Sequence, residues 1–137
     1  MAMNQEQLES FLKQPLVAVI GTVDRAGRPR SAPIWFHWEN GEAYMFTGRR
    51  TLKWRNLLAV PHASLCVDKG EPPYASVVMD GPVQEADQPL YDLVLSMALG
   101  HYGEEKGRAF AENYRNQPPG VVAFMLVPRH IVSIMND

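Results

Sequence analysis

The densest group of chemically capable side chains in this sequence is Thr47-Gly48-Arg49-Arg50-Thr51-Leu52-Lys53-Trp54-Arg55-Asn56. Thr51 is a helix-capping residue, so a hydroxyl, several backbone N–H groups and four cations (Arg49, Arg50, Lys53, Arg55) gather about one predicted helix N-terminus. A helix start offers unpaired donors and a partial positive charge, and Arg and Lys add charge-assisted hydrogen bonds. The chemistry on offer is the binding of a phosphate. Thr51 and Lys53 fall on the same exposed rim of that helix. A solvated basic turn would have the same composition.

Just upstream lies the aromatic run Ile34-Trp35-Phe36-His37-Trp38. Strand alternation sends Ile34, Phe36 and Trp38 to one face and Trp35 and His37 to the other. One set fills a core, and the other is available either to flank a flat aromatic ligand or to pack within a barrel wall. Other chemistries lack their residues. His37, His62, His101 and His130 show no metal-ligand spacing, and the lone Cys66 supplies neither a thiolate cluster nor a disulfide. No Gly-x-Ser-x-Gly elbow, P-loop or dinucleotide fingerprint is present. No metal is expected.

These residues need a frame of short strands. Asn4, with Gln7 three residues on, predicts a capped helix over 4–13, stopped by Pro15. Leu16–Val23 reads as a strand buried on both faces, and Gly27 marks the following turn. A second strand is predicted over 30–38, with Pro33 demanding an edge, kink or bulge. Asn40-Gly41 predicts a hairpin into a strand over 43–47. Then come a helix over 52–59 and strands over 62–68 and 74–85, the latter with a bulge at Gly81-Pro82. Asp87 is expected to cap a helix that Gly100–Gly103 interrupts, and a more polar helix follows over 104–115. Strands over 121–127 and 131–135 end the chain. Six or seven mostly antiparallel strands with three or four helices predict an α+β, mainly β, fold built on a barrel.

Composition sets the outer bounds. The 137 residues, 46% hydrophobic and 20% charged, suit one domain, 1–137, with a real core, and exclude disorder. Thirteen Lys+Arg against fifteen Asp+Glu leave a net charge of −2, which argues against a duplex-DNA binder. No basic-then-apolar leader is seen, and no apolar run approaches the ~18–20 residues of a membrane span. The expectation is a cytoplasmic protein with a small-molecule substrate, binding neither nucleic acid nor membrane.

Taken in order, these segments resemble the split-barrel family of pyridoxamine 5′-phosphate oxidase and its flavin- or deazaflavin-dependent relatives. The matching run is Val17–Pro29, continuing through Ala32-Pro33-Ile34-Trp35-Phe36, the Asn40-Gly41 hairpin, Phe46-Thr47-Gly48 and Thr51-x-Lys53-x-Arg55-Asn56-Leu57. His62–Asp68 and Ser76–Val83 resemble the next two family strands. The likeness covers about residues 10–86, and 120–135 only as strand pattern.

The resemblance implies a six-stranded antiparallel split barrel with peripheral helices, assembled as a homodimer with cofactor at the subunit interface. The strand holding Pro33, Ile34 and Trp35 would line the cofactor ring, and Phe46 and Thr47 would touch it. Thr51, Lys53 and Arg55 would reach the phosphate, with Arg49 or Arg50 contributing. Ala32 and Leu52 stand where true pyridoxamine phosphate oxidases carry Arg, and their C-terminal Arg-x-His motif is absent. The vitamin-forming activity is therefore not implied. Pro33-Ile34-Trp35-Phe36 and Lys53-x-Arg55-Asn56 look closer to the branch using coenzyme F420, a 5-deazaflavin, which also contains FMN binders. The implied reaction is hydride transfer between F420 or FMN and a small electron-poor substrate. No catalytic side chain is designated, with Tyr74, Tyr102 and His37 all open as proton donors. A carrier, sensor or haem-binding role on the same fold is the alternative, and residues 87–116 are a candidate lid.

Overall fold

The computed structural model describes residues 1–136. Its elements are α1 (Gln5–Leu12), β1 (Val17–Val23), β2 (Pro29–Trp35), β3 (His37–Glu39), β4 (Glu42–Gly48), α2 (Leu52–Ala59), β5 (His62–Asp68), β6 (Ala75–Glu85), α3 (Leu90–Tyr102), α4 (Glu104–Ala111), a 3-10 turn (Glu112–Tyr114), β7 (Val121–Leu126) and β8 (His130–Met135).

The strands form one antiparallel sheet in the order β2-β1-β5-β6-β7-β4-β3, with β8 added beside β6. Its two ends, β2 and β3, are consecutive pieces of one segment parted only at Phe36. There the ladder switches from β1 (Trp35 opposite Val17) to β4 (His37 opposite Tyr44). The sheet thus curls until its ends meet, which is a split barrel. Eight strands are present rather than the six expected, because the single strand predicted over 30–38 is two and β8 pairs outside the main path. Pro33 lies opposite Val19 on β2, which has a ladder partner on one side only, so its missing N–H costs no bond.

Local chemistry explains most boundaries. Asn4 accepts from the Gln7 N–H at 2.8 Å while the Gln7 side chain accepts from the Asn4 N–H at 2.9 Å, a complete capping box. Asn40 and Gly41, with φ of 53° and 76°, make the tight turn between β3 and β4. The bulge expected at Gly81-Pro82 is absent. The β5 ladder runs through both residues without insertion, and β6 instead passes from β5 and β8 to β7 at Val83. A side chain at Gly81 would overlap the Val127 carbonyl, so this crossing requires glycine.

One further expectation is corrected. Asp87 caps nothing: α3 starts at Leu90, whose N–H is taken by Gln117 Oε1 at 2.6 Å from the loop before β7. The interruption expected over Gly100–Gly103 falls at its last residue: α3 runs through Gly100, which lies close against Pro15, to Tyr102, and the break is at Gly103 with φ of 84°.

Apolar side chains divide into two clusters. The barrel interior holds Ile20, Ile34, Met45, Leu65, Met79 and Phe124, joined by Phe11 and Leu12 of α1 and by Trp54 and Leu57 of α2. On the other side of the wall, Leu93, Val94 and Met97 of α3 and Ala111 of α4 pack with Trp35, Tyr44, Phe46 and Ala123. The α3–α4 hairpin therefore covers the outer face of β4 and β7. The outer face of β1, β5, β6 and β8 has no such cover. Pairing there aligns Pro33, Val19, Cys66, Val78 and Val132 into one row across five strands. Val19, Val78 and Val132 in that row are 41%, 44% and 63% exposed.

Candidate functional site

The phosphate-type residues converge at the start of α2. β4 ends on Thr47 and Gly48, a turn carries Arg49 and Arg50, and Thr51 caps α2 by accepting from the Trp54 N–H at 3.3 Å. The Thr51 hydroxyl also donates to the Gly48 carbonyl at 2.9 Å and lies 3.2 Å from Thr47 Oγ1. Lys53 Nζ, swinging back over the turn, donates to the same Thr47 Oγ1 at 3.2 Å. Two hydroxyls and an ammonium thus meet where helix geometry leaves the Leu52 and Lys53 N–H groups without intrahelical acceptors. Negative charge is favoured there, and a phosphate oxygen can draw on N–H, O–H and N–H⁺ donors together.

Surface depressions open on either side of this cluster. One, about 150 Å³, is bounded by Ile20, Thr22, Arg30, Ser31, Ala32, Thr51, Leu52 and Lys53. The other, about 600 Å³, is bounded by Gly48, Arg49, Arg50, Thr51, Pro119 and Gly120. Arg50 borders the second, whereas Arg49 turns aside to an ion pair with Glu85 at 2.8 Å. Arg55 lies one turn further along α2, facing Arg25, Arg28 and Arg30 across a third depression. Buried Asn56 fastens α2 to the barrel by donating to buried Thr22 at 3.1 Å. Asn56 and Thr22 went unrecognised as a pair because a contact across 34 residues leaves no local signal.

The aromatic candidates go elsewhere. Ile34 is buried in the barrel interior. Trp35 packs outside the wall, its ring stacked on His101 with centroids 4.3 Å apart and planes 8° from parallel, and Tyr102 and Phe110 edge onto it. Phe46 meets Tyr114 at 5.4 Å. Pro33 is exposed on β2. Within this chain, then, Thr47, Thr51 and Lys53 form one contact group, Arg50 and Arg55 flank it on opposite sides, and Trp35 and Phe46 belong to the helix-covered face.

Arg30 reaches the small cleft from a turn built on Asp24. Asp24 Oδ1 accepts from the Ala26 and Arg28 N–H groups at 2.9 and 3.0 Å. Its Oδ2 accepts from Arg28 Nε at 3.0 Å and from Arg30 Nε and Nη2, each at 3.2 Å. Led by the Arg28 backbone N–H, these donors outweigh the upward push of burial and lower the Asp24 carboxyl to about 2. His101 moves for a different reason, since burial beside Trp35 holds its imidazole below the ordinary 6.5. Among the described residues no group of three or more His, Cys, Asp and Glu side chains is arranged to hold a metal ion, and no helix is long and apolar enough to cross a membrane.

Comparison with known proteins gives one sequence match and several structural ones. The family described as pyridoxamine 5′-phosphate oxidase matches residues 5–132. No curated protein matches the chain in sequence. Among solved structures, a conserved hypothetical protein from Mycobacterium tuberculosis superposes with a TM-score of 0.83 at 18% identity, over 98% of this chain and 86% of that one. A structure named as an F420 reductase does so with a TM-score of 0.65 at 21% identity, over 90% and 94%. A haem storage protein from Vibrio cholerae gives 0.70 at 17% identity, over 96% and 93%. At these identities the structures share the fold.

Proposed function

The chain belongs to the pyridoxamine 5′-phosphate oxidase family, and on that footing we propose that it is an oxidoreductase using F420 or FMN as hydride carrier for a small electron-poor substrate. The observation that carries this is the meeting of Thr47, Thr51 and Lys53 at the start of α2. The donor set fits a cofactor phosphate: two hydroxyls, one ammonium, two N–H groups and, among the described residues, no carboxylate paired with Lys53. When bound, the ring system supplies the hydride chemistry. The chain's own residues bind and orient. Lys53 and Thr51 fix the phosphate end, and Thr47 holds the Lys53 ammonium over it.

The same reading makes the protein a cytoplasmic homodimer. Its support is the bare row Pro33, Val19, Cys66, Val78 and Val132, an apolar strip on the half of the barrel that α3 and α4 leave uncovered. Ala32 and Leu52, in place of arginines, speak against pyridoxamine phosphate as substrate. F420 is favoured over FMN on the Pro33–Phe36 and Lys53–Asn56 segments. A binding role without turnover would use the same phosphate residues, and the fold shared with a haem storage protein keeps it as the second reading.

Equilibrium dialysis and fluorescence quenching of cofactor-stripped protein against FMN and F420 test the proposal. Binding of either below 0.1 mM, about −5.5 kcal/mol, is expected, with F420 the tighter. Binding of neither overturns it, and tight binding with no turnover of quinones, enones or nitro compounds leaves the carrier role.

A further inference from the structure

The uncovered sheet face carries titratable groups at its two ends and apolar side chains between them. Along β5 the outward residues run His62, Ser64, Cys66, Asp68. Asp80 on β6 lies opposite Ser64 on one side and His130 of β8 on the other. Its Oδ1 is 3.4 Å from His62 Nε2 and 3.5 Å from His130 Nδ1, so two imidazoles from different strands share one carboxylate oxygen. At the other end Asp68, opposite Ser76, is exposed and makes no ion pair among the described residues. Cys66, Val78 and Val132 form the apolar row between the two ends. Other charges stand aside. β1 presents none, Lys69 lines the groove beneath α1, and Arg28 and Arg30 are held by Asp24. Arg129, one residue before β8, adds a fixed positive charge at the border. His37 and His101 border the cleft between α1 and α3 instead.

We propose that this face takes a second copy of the chain with its strands reversed, and that protonation of His62 and His130 tightens the pair. The inference rests on the homodimer reading above and adds to it an orientation and a pH dependence. A two-fold axis lying across the strands at Cys66 stacks apolar row on apolar row. It also brings Asp68 of each copy over Ser64 of the other, beside Asp80 and the two imidazoles. Each such group holds two carboxylates and two imidazoles. It is doubly negative with the imidazoles neutral, and neutral once both are protonated. Exposed on a single chain, these contacts contribute little. Closed between two copies, carboxylates without a counter-charge are costly, and imidazole is the side chain that supplies one near neutral pH.

Sedimentation equilibrium of the full chain at pH 8.0 and 6.0 tests this, with circular dichroism confirming the fold at each pH. The wild type is expected to self-associate about tenfold more tightly at pH 6.0. The His62→Gln/His130→Gln variant should lose that difference, and since both rings are exposed the core is untouched. Asp68→Asn should shrink the difference too, although Asp68 is about 20 Å from His62 along its own strand. Equal or weaker association of the wild type at pH 6.0 overturns the proposal, as does a difference kept in the histidine variant. A difference unchanged in Asp68→Asn overturns the reversed orientation. Should the histidine variant not fold, the wild type and Asp68→Asn decide. A monomer at both pH values removes the homodimer as well, whereas a dimer of constant strength removes this inference alone.

Discussion

The imidazole of His101, near the end of α3, lies flat on the indole of Trp35, on the last residue of β2, with ring centroids 4.3 Å apart. This contact ties the helical hairpin to the barrel wall at the point where β2 gives way to β3. It also lowers the His101 pKa below its ordinary value, because burial against the indole disfavours the charged ring.

His101 should make stability depend on pH near neutrality. Its folded value lies below the ordinary 6.5, so the unfolded chain takes up the proton first and stability falls as pH drops through 6.5. Urea unfolding at pH 5.5 and 7.5 should show this loss, and His101→Phe should reduce it. An unchanged difference between the two pH values in the variant would remove His101 as its source.

Asp24 works in the acid range. With its carboxyl lowered from 3.8 to about 2, it favours the folded state above pH 3.8, and that contribution is lost as pH falls towards 2. Asp24→Asn should flatten the acid limb of the stability curve. NMR titration of the carboxyl near 3.8 would contradict the hydrogen-bonded turn.

Lys53→Ala should weaken cofactor binding by about 1.5–3 kcal/mol, as expected for one charge-assisted hydrogen bond. Thr47→Val removes the acceptor that holds the ammonium and should give a smaller loss in the same direction. Fluorescence titration measures both. If Lys53→Ala binds as the wild type does, the phosphate does not sit at α2.

Gly81→Ala should destabilise the fold by about 3 kcal/mol, since its methyl would overlap the Val127 carbonyl where β6 crosses between half-sheets. Gly120→Ala, with open space around it, should change stability by no more than about 0.5 kcal/mol. Denaturant midpoints compare the two.

Val78→Lys with Val132→Lys places two charges at the β6–β8 end of the bare row. Light scattering should then report a monomer in place of the proposed dimer. A dimer that survives the double change uses another surface.

Much of this arrangement was readable because it is local. The Asn4 and Thr51 caps and the Asn40-Gly41 turn act within a few residues, and each appears where the sequence puts it. The strand expected over 16–23 is present but not buried on both faces: Val17, Val19 and Val23 are exposed on its outer side. Failures came where a distant residue decides. α3 begins at Leu90 because Gln117 supplies its cap, and Gly81 matters because Val127 passes over it. The site divides the same way. Thr47, Thr51 and Lys53 are sequence neighbours that also touch, whereas the arginines of the turn after β1 meet Arg55 only through the barrel's curl.

The break at Phe36 makes residues 29–39 the keystone of the barrel, since one short segment supplies both margins of the sheet. Neither margin can fray alone. Releasing β2 from β1 slackens the stretch that holds β3 on β4, so amide exchange at Val19 and Tyr44, on opposite borders, should rise and fall as one cooperative unit.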